Sequence, residues 1–205
     1  MEKVARNILF NCCFAFNCLL LFFLLFESRM VIPAWLQVAG RMHPLLLHFP
    51  IVLLVLYVLW ALFIDTKKNG NETTRRAAVW LLLLSAFTAS LTSLAGLFLS
   101  KEEGYDADAL QWHKWSGFAI ALLTTCWYGL RNMIGRWNGV RVSVALAGLG
   151  VVIFTGHQGA AITHGENFLL APVMHETKPR LLMEEAVVYA HMVKPIFEEK
   201  CMGCH

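Results

Sequence analysis

Long apolar runs separated by short polar loops dominate this chain, and their length sets the first expectation. A membrane-spanning helix needs about 20 apolar residues at a rise of 1.5 Å each. Five stretches approach this, at roughly 8–26, 44–64, 77–99, 113–130 and 142–160. The first follows Lys3 and Arg6 in the manner of a signal sequence, but its apolar run continues with no small-residue cleavage site behind it, so it reads as an uncleaved anchor. The pattern predicts an all-α membrane protein, a bundle of about five transmembrane helices. Ser85, Thr88, Ser90, Thr92 and Ser93 in the third span are small polar residues of the kind that let membrane helices pack closely.

Loop charges then orient the bundle. Lys3, Arg6, Lys67, Lys68, Arg75, Arg76, Arg131, Arg136 and Arg141 fall on one side, against Arg29, Arg41, Lys101 and Lys114 on the other. Cytoplasmic loops carry the excess of Lys and Arg. The N-terminus is therefore expected in the cytoplasm of a bacterium, the chain in its inner membrane, and everything after residue 160 in the periplasm. The acidic loop with Glu102, Glu103, Asp106 and Asp108 falls outside as well. Composition agrees: 58% of residues are hydrophobic and 15% charged, with a mean hydropathy of +0.57. The formal charge of +3 is scattered over loops, which argues against a nucleic-acid partner and for membrane lipid.

The clearest chemistry stands last. Lys200-Cys201-Met202-Gly203-Cys204-His205 contains Cys-x-x-Cys-His, the attachment signature of a covalent c-type haem. Two thiols three positions apart can each bond one vinyl group of the same porphyrin, and the adjacent imidazole reaches the iron. A thioredoxin-like pair would sit in a strand-helix-strand pattern, which is absent, and a zinc site would need a second ligand pair outside the membrane. Attachment takes place on the periplasmic side, where the loop charges independently put this tail. The remaining thiols, Cys12, Cys13, Cys18 and Cys126, lie in predicted spans and read as small packing residues.

Upstream, Val188, Met192 and Ile196 recur every four residues between Glu184 and Phe197, predicting an amphipathic periplasmic helix that Pro195 bends or ends. The run Val193-Lys194-Pro195-Ile196-Phe197-Glu198-Glu199-Lys200 leading into the motif resembles the start of planctomycete-type cytochrome c domains. In those domains the motif opens the fold and a later methionine supplies the sixth ligand. The resemblance implies that residues 1–205 belong to a longer protein; in a complete chain the sixth ligand would come from His175, Met183, His191, Met192 or a partner.

A second set of residues points to the membrane domain. His43, His48, His113, His157 and His164 all lie at or just beyond the outer ends of spans two, four and five. Ionisable groups at membrane depth are costly and usually mark a site. His48, flanked by Leu45, Leu46, Leu47, Phe49 and Ile51, is expected to need a partner inside the bundle. Imidazoles from two helices can clamp a porphyrin, so one or two b-type haems are expected, with His48 and His157 as a first ligand pair and His113 and His164 as further ligands. Gly156, Gly159 and Gly165 would admit a flat macrocycle, and Arg41 and Lys114 would face its propionates. The bland alternative is a set of interfacial histidines beside an aromatic belt with Trp112 and Trp115, applying most to His43 and His113. A bare divalent metal is a third reading, without an evident carboxylate or thiol to complete it.

Arg41-Met42-His43-Pro44-Leu45-Leu46-Leu47-His48-Phe49-Pro50-Ile51 and the later Thr155-Gly156-His157-Gln158-Gly159-Ala160-Ala161-Ile162-Thr163-His164-Gly165 together resemble an uncharacterised bacterial family of small multi-helix membrane proteins. The resemblance covers roughly residues 40–166, with Gly159-Ala160 standing where two glycines are frequent. It implies a membrane domain that is fused in some bacteria to a haem c domain. The expected organisation is an anchor helix over 1–30, a membrane domain over 31–170, and a periplasmic linker with the start of a cytochrome c domain over 171–205. The expected function is electron transfer between membrane haem b, fed by quinol, and periplasmic haem c, passing to other redox subunits or a soluble carrier. Glu166 is a candidate acceptor for a quinol proton, against the commoner case of a solvated loop glutamate. The competing expectation is a non-catalytic anchor or scaffold for a haem c domain.

Overall fold

The computed structural model describes residues 1–63, 71–102, 104–105, 107–165, 170, 173 and 188–200, and these are helical with no strand among them. Helix α1 (Glu2–Leu25) ends in a 3-10 turn at Glu27–Arg29. The next membrane segment is broken into α2 (Ala34–Arg41), α3 (His43–Leu46) and α4 (His48–Phe63). Then come α5 (Glu72–Leu99), α6 (Ala107–Ile134) and α7 (Asn138–His164).

Four segments are long and apolar enough to cross a membrane: α1, the α2–α4 segment, α5 and α7. The fifth expected span, α6, equals α5 in length at 28 residues but falls short of the others in apolarity. Its position explains why: α6 packs along α5, α7 and α1, so Ser116, Thr124 and Thr125 are buried against protein. Helix α5 is the centre of the bundle, with 56% of its most apolar stretch buried, against 11% for α7.

The breaks in the second segment follow from its prolines. Pro44 and Pro50 lack the N–H that would bond back one turn, so the chain interrupts at Met42 and Leu47 while both stay in right-handed helical conformation. The first kink lets the segment lean on α5. Gly40 meets the end of α5 so closely that an added Cβ would stand 2.7 Å from the Leu99 nitrogen.

Helix α1 is more than a tether. Asn17, 4% exposed, donates from Nδ2 to the Cys13 carbonyl (2.8 Å), Ser90 Oγ on α5 (3.0 Å) and Thr125 Oγ1 on α6 (3.1 Å). At one end of the bundle Glu27 accepts from Lys114 Nζ at 2.6 Å and faces Lys101 Nζ at 3.3 Å. The 1–30 segment therefore packs as part of the membrane bundle.

Among the cysteines, Cys13 is buried in the core, while Cys18 and Cys126 are exposed on the outer face, as packing or lipid-facing residues would be. Beyond α7, Val188–Val193 forms a π-helical turn and α8 runs Lys194–Lys200. The change of helix type falls beside Pro195, in keeping with its missing donor. Cys201, Cys204 and His205, with His175, Met183 and Glu166, lie outside the described residues.

Candidate functional site

Helices α1, α5 and α7 run in one direction and α4 and α6 in the other, so His43, His48, His113, His157 and His164 gather at one end of the bundle. Two of them meet. The rings of His43, opening α3, and His113, in the second turn of α6, lie with centroids 6.1 Å apart and planes at 88°.

Each ring is held in the same way. His43 Nδ1 lies 2.9 Å from the Thr92 carbonyl of α5, and His113 Nδ1 lies 3.0 Å from the Thr155 carbonyl of α7. A carbonyl only accepts, so both Nδ1 atoms carry the proton and both Nε2 atoms keep a lone pair. No Nε2 partner occurs among the described residues. A metal-bound imidazole is usually prepared in this manner, its second nitrogen donating to a backbone carbonyl that fixes tautomer and orientation.

The helices expose those carbonyls through glycine. Side chains on a helix tilt toward its N-terminus, so the residue four positions on lies over a given carbonyl. After Thr92 that residue is Gly96, and after Thr155 it is Gly159. A Cβ at Gly96 would stand 2.8 Å from His43 Cε1, and one at Gly159 would stand 3.1 Å from His113 Cε1. Thr92-x-x-x-Gly96 and Thr155-x-x-x-Gly159 thus form two equivalent seats, one on each helix flanking the pair.

The other histidines face outward. His48 is exposed, its Nδ1 3.3 Å from its own Leu45 carbonyl. The expectation that it points into the bundle is corrected: α4 buries Pro50, Leu54, Val58 and Ala61, whereas His48 adjoins the exposed stripe of Leu45, Phe49, Val52 and Leu56. Apolar neighbours signalled depth in the membrane, not direction. His157 is exposed too. It follows the inward-facing Thr155 by two residues, about 200° around the helix. Helix α7 does continue to His164, also exposed, and ends at Gly165 with φ +86°.

The expected propionate partners have carboxylates of their own. Lys114, with a side chain 9% exposed, is bound to Glu27, and Arg41 Nε donates to Glu102 at 2.8 Å. Burial alone would push the Glu27 carboxyl up, but the hydrogen bonds and charges of Lys114 and Lys101 outweigh it and hold its pKa below the usual value. Trp112 and Trp115 are exposed at the same end, as an interfacial belt requires. No cluster of three or more His, Cys, Asp or Glu side chains suited to a metal occurs among the described residues.

His43 is the residue that sequence reasoning passed over. Its signal lay on other helices, in the two Thr-x-x-x-Gly seats rather than in its own neighbourhood.

The model of a family described as "Predicted membrane protein (DUF2231)" matches residues 41–167, more than half of the chain. The match begins two residues before His43 and takes in both seats. No curated protein matches the chain, and no solved structure does.

Proposed function

Since the chain belongs to the DUF2231 family of predicted membrane proteins, and its half-buried histidine pair has each Nδ1 tied to a helix carbonyl, we propose that it is a membrane electron-transfer protein in which His43 and His113 would hold a b-type haem. The observation that carries this reading is the matched preparation of the two rings, each with Nδ1 tied to a helix carbonyl and Nε2 left with its lone pair. The donor set fits an iron. Imidazole nitrogens are common ligands of haem iron, and the ring centres of His43 and His113 stand 6.1 Å apart, so these two residues would be the ones to hold it. Haem iron is commonly held by such axial ligands and supplies one-electron redox chemistry.

The protein's own part is orientation. Carbonyl bonds from Thr92 and Thr155 hold both imidazoles in the ligating tautomer and raise their basicity. Both rings are half-buried among the helices, and this partial burial would bear on the redox potential of a group held there. In this reading the N-terminus is cytoplasmic, and in the tail after α7, on the histidine side of the membrane, Cys201, Cys204 and His205 would hold a second, covalent haem. The haems would supply one-electron chemistry, with quinol as the proposed donor and a carrier or partner subunit as the proposed acceptor. The fusion of a cytochrome c domain behind the family domain belongs to the same proposal.

One observation favours a scaffold instead: Arg41 and Lys114, the cations nearest in sequence to the pair, are engaged by Glu102 and Glu27. In that reading the histidines tie helices together and the covalent haem is the sole redox group. A reduced-minus-oxidised spectrum of the purified chain, before and after acid-acetone extraction, separates the two. Electron transfer through the bundle requires an α-band that extraction removes beside one that persists; a persistent c-type band alone supports the scaffold and contradicts the membrane haem.

A further inference from the structure

The opposite end of the bundle carries a cavity of about 770 Å³ between the starts of α1, α5 and α7 and the ends of α4 and α6. Its wall includes six cations, Lys3, Arg6, Arg75, Arg76, Arg131 and Arg141, against two carboxylates, Glu2 and Glu72. The carboxylates are taken by their own neighbours: Glu2 faces Arg6 and Arg76, and Glu72 binds Arg75 and Arg76. Lys3, Arg131 and Arg141 have no carboxylate partner among the described residues.

Two buried donors in the same wall lack an acceptor. Trp60 Nε1 and Arg141 Nε are shielded from solvent and have no hydrogen-bond acceptor among the described residues. Buried N–H groups are nearly always paired, and an exception points to an unseen water or ion. Arg141 is committed only through Nη2, to Asn138 Oδ1 at 2.6 Å. Arg131 donates Nη1 to the Tyr128 carbonyl at 2.6 Å and stacks over that ring, leaving further donors of its planar fork. Three helices start here and two end, so the helix dipoles largely offset one another and the side-chain cations set the sign of the cavity.

We infer that this cavity is a binding site for a phosphate group, with Arg131, Arg141 and Lys3 as its uncompensated cations and Trp60 as a neutral donor. Planar guanidinium groups match phosphate oxygens in pairs, and basic pockets between membrane helices are suited to anionic headgroups. A lipid phosphate and free inorganic phosphate share this chemistry. The inference stands apart from the histidine pair.

The test uses the full chain in detergent, with its thermal unfolding midpoint followed during titration with phosphatidylglycerol, phosphatidylcholine or inorganic phosphate. A midpoint that rises with phosphatidylglycerol well above phosphatidylcholine, without a response to inorganic phosphate, supports the site with a lipid as its occupant. An equal response to inorganic phosphate supports it with a free anion. In either case Arg131→Gln/Arg141→Gln is expected to weaken the response at least tenfold. If neither ligand raises the midpoint, or the double variant responds as the wild type does, the inference is overturned. Should the double variant fail to fold, Lys3→Gln alters an exposed side chain with no ion-pair partner among the described residues; a several-fold weaker response supports the site, and an unchanged one overturns it.

Discussion

His43 and His113 come from helices far apart in sequence, yet their rings stand 6.1 Å apart at 88°, each fastened through Nδ1 to a third or fourth helix. The pair therefore draws α3, α5, α6 and α7 together at one end. It depends on two glycines, which leads to the first prediction.

Gly96→Ala and Gly159→Ala should displace the rings. In an isolated helix the change from glycine to alanine stabilises by about 1 kcal/mol. Here the new Cβ meets His43 at 2.8 Å or His113 at 3.1 Å, so the ring or the helix must move. Each variant should keep wild-type helical content by circular dichroism while losing most of its extractable haem, with Gly96→Ala the more severe. Full haem retention in both would show that the seats do not position the ligands.

Glu27 makes stability depend on pH in a definite direction. Its carboxyl is held below the ordinary value despite burial, because Lys114 and Lys101 favour the charged form. The corresponding stability is fully present above the ordinary glutamate pKa of about 4.3 and is lost as pH falls through the lowered one. Thermal midpoints in detergent should fall as the pH is lowered below that value. Glu27→Gln should cost roughly 1–3 kcal/mol at neutral pH, since it leaves Lys114 with a weaker partner, and should flatten the acid-side decline. A variant with the same decline as wild type would assign it to another carboxylate.

Asn17 should prove tolerant of one change and intolerant of another. Its Oδ1 is buried without a donor, and the hydroxyls it meets already donate to the Ala86 and Ala121 carbonyls. Asn17→Leu removes an orphan acceptor along with the hydrogen bonds, so its cost should stay below about 1 kcal/mol, near the average for such bonds in membrane proteins. Asn17→Asp, which places a carboxyl beside the Cys13 carbonyl, should be markedly worse. Unfolding midpoints of the two variants in one detergent check the order.

Arg41 is a peripheral cation. Its side chain is 70% exposed and its ion pair with Glu102 is surface-lying, a class worth about 0–1 kcal/mol. Arg41→Ala should change neither haem content nor unfolding midpoint appreciably. A large loss of haem in this variant would restore the propionate role that the sequence suggested.

The helical bundle was readable from the run lengths, because long apolar stretches and their punctuating loops leave few alternatives, whereas the breaks at Met42 and Leu47 beside Pro44 and Pro50 were not anticipated. The one-sided gathering of histidines was equally legible, as it follows from helix direction alone. Which of them face inward was not. His48 looked buried because Phe49 and Ile51 flank it, yet in a membrane those neighbours are exposed themselves. His43, one residue before a proline at a span's edge, looked interfacial until Gly96 opened the Thr92 carbonyl to it. The tie between Glu27 and Lys114 spans 87 residues of sequence, and no local pattern encodes it. Likewise Asn17 was one polar residue in an apolar run; only the packing of α1 on α5 and α6 gives it partners.

The most direct test is the content of acid-acetone-extractable haem per chain in four single variants, His43→Ala, His113→Ala, His48→Ala and His157→Ala, each purified in its full-length form. The inward pair should be essential and the outward pair dispensable: extractable haem falls to near zero in His43→Ala and His113→Ala and stays at the wild-type level in His48→Ala and His157→Ala, with the covalent haem unchanged in all four. Wild-type levels of extractable haem in His43→Ala and His113→Ala, or its loss only in His48→Ala and His157→Ala, would contradict the assignment of the inward-facing pair as the ligands.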